Sequence, residues 1–424
     1  MNTLTKLRTG ALTGVSHLQL AENLTDFPEE IFTLADTLEV LDLSNNQLSD
    51  LPANFAKLTK LKRLFLSFNQ FQHIPRVLSQ CPELIMIAFK GNQITEFSEH
   101  SLPQSTQWLI LTDNQLTQLP DSMGELTKLK KLALAGNQLT HLPVTMQNCT
   151  ALELVRLSAN TLTQLDDWLF ELPKLTWLAF AGNEFNRSQQ LNHELFPRTP
   201  LTEIELDKII GQGASGIIHS AQWQNSTIAV KLFKGAITSD GYPLDEVNCC
   251  LQAQLHPNLI KVLAYIEHNE QLGLAMELID PSYVNLGLPP SLETCTRDTF
   301  KDDCHYSTAT IYAIAKQLVS TVAHLHQHTL SHGDIYAHNI MINENDEIVF
   351  GDFGAATNLV TLSNYQQQQM QRIEVRAIGC LIDDLLSTCN EQSAEVIHLQ
   401  HIAKQCMNED IAQRPTLKNL ADCL

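Results

Sequence analysis

Positive charge is scarce in this chain. Its 424 residues include 27 Lys+Arg against 47 Asp+Glu, a formal net charge of −20. Residues 201–424 alone hold 12 Lys+Arg and 27 Asp+Glu by count, so most of the excess lies there. Such a surface repels polyanions and argues against nucleic acid or an anionic membrane as a partner. Long apolar runs are missing too: none reaches the ~18 residues needed to span a bilayer. The first ten residues, "MNTLTKLRTG", lack the apolar core of an export signal. A cytoplasmic protein is expected, with secretion by a leaderless route left open. No C-x-x-C spacing occurs among the ten cysteines, and Cys249 and Cys250 are adjacent. In a chain without an export signal these read as reduced, buried thiols. With 44% hydrophobic and 17% charged residues, the composition is that of folded protein with room for two or three domains.

The first half repeats itself. Asn recurs at positions 23, 46, 69, 92, 114, 137, 160 and 183, a spacing of 23 residues with one of 22. Each Asn closes a segment such as "LDLSNN", "LILTDN" or "LAFAGN". In a short strand of this kind alternate apolar residues point into a stack, and the Asn can bond neighbouring coils from inside. The pattern resembles the leucine-rich repeat, about eight copies of it. Its concave positions, read in order, carry an apolar stripe: Phe65, Met86, Trp108, Ile110, Leu154 and Trp177, flanked by Arg63, Lys131 and Arg156. An apolar stripe left to water is a liability, so a protein partner or substrate is expected there.

Residues 201–424 do not repeat. Strand-like runs come first and helical patterns follow, which predicts an α+β domain. Gly211, Gly213 and Gly216 form G-x-G-x-x-G between two strands rather than before a helix, a loop whose backbone N–H groups can approach phosphates. "IAVK" ends a strand on Lys231. "PLDEVNCCLQAQLHPNLIKVL" follows, then "LGLAMELID". After a helical stretch comes "LSHGDIYAHNIMI", with Asp334 and Asn339, then "GDFG" with Asp352, and near the end "QRPT" with Arg414.

In this order and spacing, residues 203–424 resemble a protein kinase domain. The whole chain resembles a leucine-rich-repeat protein kinase of compact bacterial type, without the membrane span of plant receptor kinases or the GTPase domain of Roco kinases. The division expected is a repeat domain over 1–190, a linker or cap over 191–202, and a kinase domain over 203–424, its N-lobe about 203–278 and its C-lobe about 279–424. The resemblance implies ATP and Mg²⁺ as cofactors. It assigns Asp334 to the attacking hydroxyl, Lys231 to the phosphates, and Glu246, with Asp245 as rival, to holding Lys231. Asn339 and Asp352 would hold Mg²⁺. Ile218, Ala229, Met276 as gatekeeper, and the backbones of Glu277 and Ile279 would face the nucleotide. Serine or threonine is expected as acceptor, although the loop has neither the K-P-E-N nor the A-A-R-N form.

Departures from the family leave two further readings. Gly333 replaces the Arg of His-Arg-Asp and Tyr336 the usual Lys. H-G-D also occurs in aminoglycoside phosphotransferases, hence a small-molecule kinase. A catalytically weak scaffold serving the repeats is the other. The segment after Asp352 is short, no A-P-E motif supplies a partner for Arg414, and Glu374 falls where the family has Asp. Thr357, Thr361, Ser363 and Tyr365 are the hydroxyls available for autophosphorylation, and without the Arg such modification is expected to be incidental. His324, His326, His328 and His332 cluster, and read better as packing residues than as a metal site. The insert with Cys295, Cys304 and His305 reads as an ordered surface loop.

Overall fold

The computed structural model describes residues 2–187, 197–213, 215–235, 237–238, 240–268 and 271–424. The chain divides into two compact units, Met1–Leu172 and Pro173–Leu424.

The first unit opens with helix α1 (Leu4–Arg8), capped by the Thr3 hydroxyl. Seven three-residue strands then pair in parallel and in register: β1 (His17–Gln19), β2 (Val40–Asp42), β3 (Arg63–Phe65), β4 (Met86–Ala88), β5 (Trp108–Ile110), β6 (Lys131–Ala133) and β7 (Leu154–Arg156). Four of the short 3-10 turns that face them follow Pro28, Pro75, Pro120 and Pro143, where the ring holds the backbone extended before the turn. Helix α2 (Asp167–Phe170) closes the unit. The middle residue of every strand, from Leu18 to Val155, is buried.

An asparagine ladder ties the coils together. Asn137 is typical: its Oδ1 accepts from Leu116 N at 3.1 Å, and its Nδ2 donates to Leu111 O and Leu134 O, each at 2.9 Å. Asn46, Asn69, Asn92, Asn114 and Asn160 repeat the arrangement. These bonds satisfy backbone groups that the tight coil leaves buried. Asn23, in the first coil, is instead exposed and in the left-handed region at φ 56°.

The expected concave stripe is not continuous. Phe65, Trp108 and Ile110 are half-buried, whereas Met86 and Leu154 are buried and offer a partner little surface. In-register pairing sets Met86 between Arg63 and Trp108, and Leu154 beside Lys131, at strand spacing. Lys131 also lies over the Trp108 ring, 4.3 Å from its centre.

The second unit begins with the eighth coil, whose strand is β8 (Trp177–Ala179). Residues 191–196 of the expected linker or cap lie outside the described residues. Beyond them Arg198–Thr199 form β9, parallel to β13 (Val262–His268), so this end of the stretch is part of a sheet. The other members are β10 (Glu205–Gln212), β11 (Gly216–Trp223), β12 (Ser226–Phe233) and β14 (Gln271–Glu277), in the order β10-β11-β12-β14-β13-β9. Helix α3 (Pro243–Gln252) packs Val247 and Leu251 on one face of this sheet, against Ala229, Tyr265, Leu274 and Met276. Helices α4 (Thr308–Gln327), α5 (Asn364–Leu386), α6 (Ala394–Cys406) and α7 (Leu417–Cys423) build the remainder. Two small sheets join them: β15 (Val284–Asn285) with β17 (Ile340–Ile342) and β18 (Ile348–Phe350), and β16 (Leu330–Ser331) with β19 (Thr357–Asn358). The fold class is therefore a leucine-rich-repeat solenoid followed by an α+β two-lobed domain, as the patterns predict.

No described helix is long and apolar enough to cross a membrane. All ten cysteines are free thiols, but only five are buried and Cys423 is exposed.

Replacing Asn137 with Ala leaves the buried Leu116 N–H without its acceptor and takes one of two amide donors from Leu111 O and Leu134 O, which Asn114 and Asn160 still reach, and is expected to destabilise the first unit by about 1–3 kcal/mol. Replacing exposed Asn23 with Gly should cost well under half as much. Urea unfolding monitored by Trp fluorescence compares the two, and equal losses would mean the ladder carries no special weight.

Candidate active site

The glycine loop joins β10 to β11. Gly213 is exposed, its N–H donating to Gly216 O at 3.0 Å and its carbonyl accepting from Lys234 Nζ at 3.2 Å. At Gly216 a Cβ would lie 2.7 Å from Leu232 O, so β11 starts on a residue that must lack one. Ala214 lies outside the described residues.

Lys231 and Glu246 meet. The lysine stands on β12 opposite Ile218, the glutamate in the first turn of α3, and both are buried. Lys231 Nζ donates to Glu246 Oε1, and Asp352 Oδ1 is 3.8 Å away. Asp245 is thereby set aside as the lysine's partner. It is buried on the same helix, and a Cβ on Gly182 would fall 2.6 Å from its Oδ2. Burial works against the Lys231 ammonium, but the charges of Glu246 and Asp352 more than offset it and hold its pKa above the ordinary value. Burial pushes the Glu246 carboxyl up to about 7, against the pull of Lys231.

Asp334 and Asn339 are joined as well. Asn339 Nδ2 donates to Asp334 O at 3.0 Å and to Asp334 Oδ2 at 2.8 Å, which turns the amide oxygen away from Asp334. Asp352 sits at φ 56°, half of its side chain exposed, before the turn Phe353–Ala355. Among the described residues no group of three or more His, Cys, Asp or Glu is placed to hold a metal by itself. A carboxylate and an amide oxygen do suit Mg²⁺ that arrives with phosphates, because that ion keeps part of its oxygen shell from the ligand.

One hollow of about 160 Å³ gathers seven of the expected residues: Gly213, Gly216, Ile218, Lys231, Glu246, Met276 and Asp352. It runs beneath α3 toward Leu255 and Ile260. Gly211, Ala229, Asp334 and Asn339 are outside its lining. Ala229 packs beside Met276 in the core. Glu277 and Ile279 border a different hollow, with Lys261 and Tyr283, and the Glu277 N–H donates to Lys261 O at 2.9 Å.

The catalytic loop hangs on α5. Glu374 Oε1 accepts from His332 N at 2.7 Å and Gly333 N at 2.8 Å, and its Oε2 meets His326 Nε2 at 2.6 Å. Burial alone would raise the Glu374 pKa, but His326 and the two N–H donors bring it below the ordinary value. His332 stacks on Phe350, centroids 3.9 Å apart, and its Nε2 bonds Gly351 O at 3.0 Å. Its burial lowers its pKa, against the pull of Glu374 and Asp334. His324 and His328 likewise meet carbonyl oxygens, of Ala253 and His324.

Asp298 is a site residue that no sequence signal marks. It lies in the insert, an ordered loop that is anchored to α5 and to the loop after Asp334. Its carboxylate accepts from Ala337 N and meets His338 Nδ1 at 2.7 Å, while Arg297 binds Asp383 and Asp384 on α5.

Two expectations on the concave stripe and the loop hydroxyls are corrected in this unit. Trp177 is 1% exposed and stacks on Tyr336, centroids 4.4 Å apart and 8° from parallel, so it cannot serve an outside partner. Thr357 is fully buried and accepts from Phe180 N at 3.3 Å, so it is closed to modification, whereas Thr361, Ser363 and Tyr365 are exposed.

Comparison with known proteins finds a family match in each half of the chain. Residues 204–373 match the protein kinase domain family, and 36–76, 104–162 and 127–185 match leucine-rich repeats. The chain thus carries leucine-rich repeats followed by a protein kinase domain. It is similar to the CTD kinase subunit alpha of Schizosaccharomyces pombe, 22% identical over 50% of this chain and 38% of that one. It is similar to the serine/threonine-protein kinase PITSLRE of Drosophila melanogaster, 24% identical over 50% of this chain and 25% of that one. The probable serine/threonine-protein kinase pats1 of Dictyostelium discoideum is 33% identical over 29% of this chain and 4% of that one. The chain spans less than half the length of each of these relatives. A solved leucine-rich-repeat protein of Leptospira interrogans is 25% identical over 41% of this chain and 51% of that one, with a TM-score of 0.35.

Glu246 yields a pH test. Its carboxyl takes up a proton near pH 7 when folded and near 4.5 when free. Between those values the folded state binds more protons, so this contribution to stability is complete below 4.5 and lost as pH rises through about 7. The melting-temperature difference between wild type and Glu246→Gln is expected to move against the wild type across that window. A difference flat with pH would show that Glu246 does not titrate there. Glu374→Ala leaves His326 and two backbone N–H groups without their acceptor, and a loss of about 3–5 kcal/mol is expected in denaturant unfolding.

Proposed function

We propose that the chain is an ATP- and Mg²⁺-dependent protein kinase that phosphorylates serine or threonine on a protein acceptor. The observation that carries the reading is Lys231 held by Glu246 with Asp352 alongside. Bound ATP with Mg²⁺ supplies the transferable phosphoryl group and the charge that neutralises it. Lys231 orients the phosphates, the Gly211–Gly216 loop lies over them, and Asn339 and Asp352 hold the ion. Asp334 orients the attacking hydroxyl and takes its proton late in the transfer. Ile218 and Met276 line the adenine side, with Ala229 packed behind Met276, and the Glu277 carbonyl and the Ile279 backbone follow as the hydrogen-bonding edge.

The aminoglycoside-kinase reading rests on Gly333, and that glycine has a local explanation. It sits at φ 72°, where a Cβ would come within 2.5 Å of Ala355 O and 2.9 Å of Leu178 O. A pseudokinase scaffold usually loses at least one catalytic group, and the presence of Lys231, Glu246, Asp334 and Asp352 in the chain favours catalysis. In function the repeats over 1–190 and the kinase domain over 203–424 are the working halves. The half-buried Phe65, Trp108 and Ile110 are what remains of a docking face for a protein partner. The compact bacterial-type architecture and a cytoplasmic setting belong to the same proposal.

Labelled ATP with Mg²⁺, followed by mapping of phosphosites, tests it. Asp334→Asn should lower turnover by about 10²-fold or more, with nucleotide affinity little changed, because that carboxylate acts on the transition state. Near-normal transfer by the variant would overturn the assignment.

A further inference from the structure

The eighth coil is built into the catalytic machinery of the second unit. Trp177 stacks flat on Tyr336, and its Nε1 donates to Ile335 O at 3.0 Å. The backbone and side chain that follow Asp334 are thereby held. On the other side of Asp334, Gly333 lies against Leu178 O so closely that no Cβ fits. The coil therefore stands where the family's Arg would begin. Two residues beyond Leu178 in the coil, Phe180 N donates to Thr357 Oγ1, which holds the segment that follows Asp352. At the coil's end Gly182 packs on Tyr242 and Asp245, at the start of the helix that carries Glu246, and Arg187 lies over the Tyr242 ring at 4.6 Å.

The coil is itself bolted down. Arg376 of α5 donates through Nε to Thr176 Oγ1 at 3.1 Å and Lys174 O at 3.2 Å. Arg414 donates to Pro173 O at 2.6 Å, and to Asn408 O and Arg372 O at 2.8 and 3.1 Å. That is what occupies Arg414 in a chain without an A-P-E glutamate.

We infer that the coil Pro173–Arg187 is a positioning element for phosphotransfer: it orders the catalytic loop and α3 permanently, in place of the Arg and loop phosphate that kinases with His-Arg-Asp use. Trp177 is its principal positioning residue. The inference rests on the protein-kinase reading, and it makes the last repeat part of the enzyme rather than of the docking face. A buried coil joined by peptide bonds cannot be removed by a phosphatase, so the loop's order does not depend on modification at Thr361, Ser363 or Tyr365.

The test uses the full chain and two measurements, hydrogen exchange and steady-state phosphotransfer. Trp177→Leu is expected to speed exchange in 330–342 by about tenfold or more while α5 keeps its protection. Its kcat should fall by about tenfold or more with the KM for ATP within about threefold, and Trp177→Phe, which keeps the stack, should recover most of the loss. Wild-type exchange in 330–342, or wild-type kcat, in Trp177→Leu would overturn the inference. If that variant loses α5 protection as well, Thr357→Val decides. It removes the acceptor for Phe180 N, and must speed exchange in 351–360 by about threefold or more, or the inference fails. A wild-type protein that transfers phosphate to no protein acceptor would sink the kinase reading, while the exchange measurements would still decide the positioning role.

Discussion

A buried carboxylate holds the catalytic loop in place. Glu374 takes the two N–H groups just before Asp334 and the imidazole of His326, and almost none of it touches water. A carboxylate this deep is tolerable only with its lone pairs filled, and here three donors fill them. Because the donors are backbone groups of His332 and Gly333, the direction of the chain entering Asp334 is set from α5. His332 then stacks on Phe350 and bonds Gly351, so the strand leading to Asp352 is tied to the same point. Two acidic residues on separate loops are thereby referred to one rigid helix. Gly379, further along that helix, lets α6 approach so closely that a Cβ would meet Cys406.

Charge and burial work in opposite directions at the nucleotide side. Lys231 and Glu246 lie in an apolar layer between β12 and α3, where each alone would be driven neutral. Their contact keeps the lysine charged, and half-exposed Asp352 adds to that from the solvent side. Asp334 and Asn339, bound to each other, sit on a different loop outside the main hollow. The site is therefore two preformed pairs, Lys231 with Glu246 and Asp334 with Asn339, each held by its own element. Preorganisation of this kind is what a loose phosphoryl-transfer transition state rewards, since the protein contributes position and charge more than covalent chemistry.

Much of this was legible in the sequence. The recurring Asn and L-x-L segments specify solenoid coils because the pattern is local: each coil needs the same buried leucines and the same amide. The kinase motifs are legible for a related reason, as Gly216, Lys231, Asp334, Asn339 and Asp352 stand in a fixed order and spacing along the chain. Between Glu246 and Asp245, one helical position apart, the sequence left a rival standing, and the contact of Glu246 with Lys231 separates them. What was not legible depends on which distant surfaces meet. Nothing about Trp177 distinguishes it from Trp108, yet one is sealed against Tyr336 and the other is half-exposed under Lys131. Asp298 reads as one acid among many in an insert until it is found holding Ala337 and His338.

By itself, then, the sequence determined the repeat and the α+β kinase domain that follows it, since these follow from periodicity and from motifs in a fixed order. Only the tertiary structure decided where the repeat stops being a repeat. The eighth coil has the same local pattern as the others, but its contacts are with residues some 150 to 240 positions later, at Ile335, Thr357, Arg376 and Arg414. Side-chain pattern encodes which face of a segment is buried, not what will cover it. The Gly in "SHGD" reads as a loss when set beside a family motif. In the folded chain it is the residue that lets the carbonyls of Leu178 and Ala355 close on the catalytic loop.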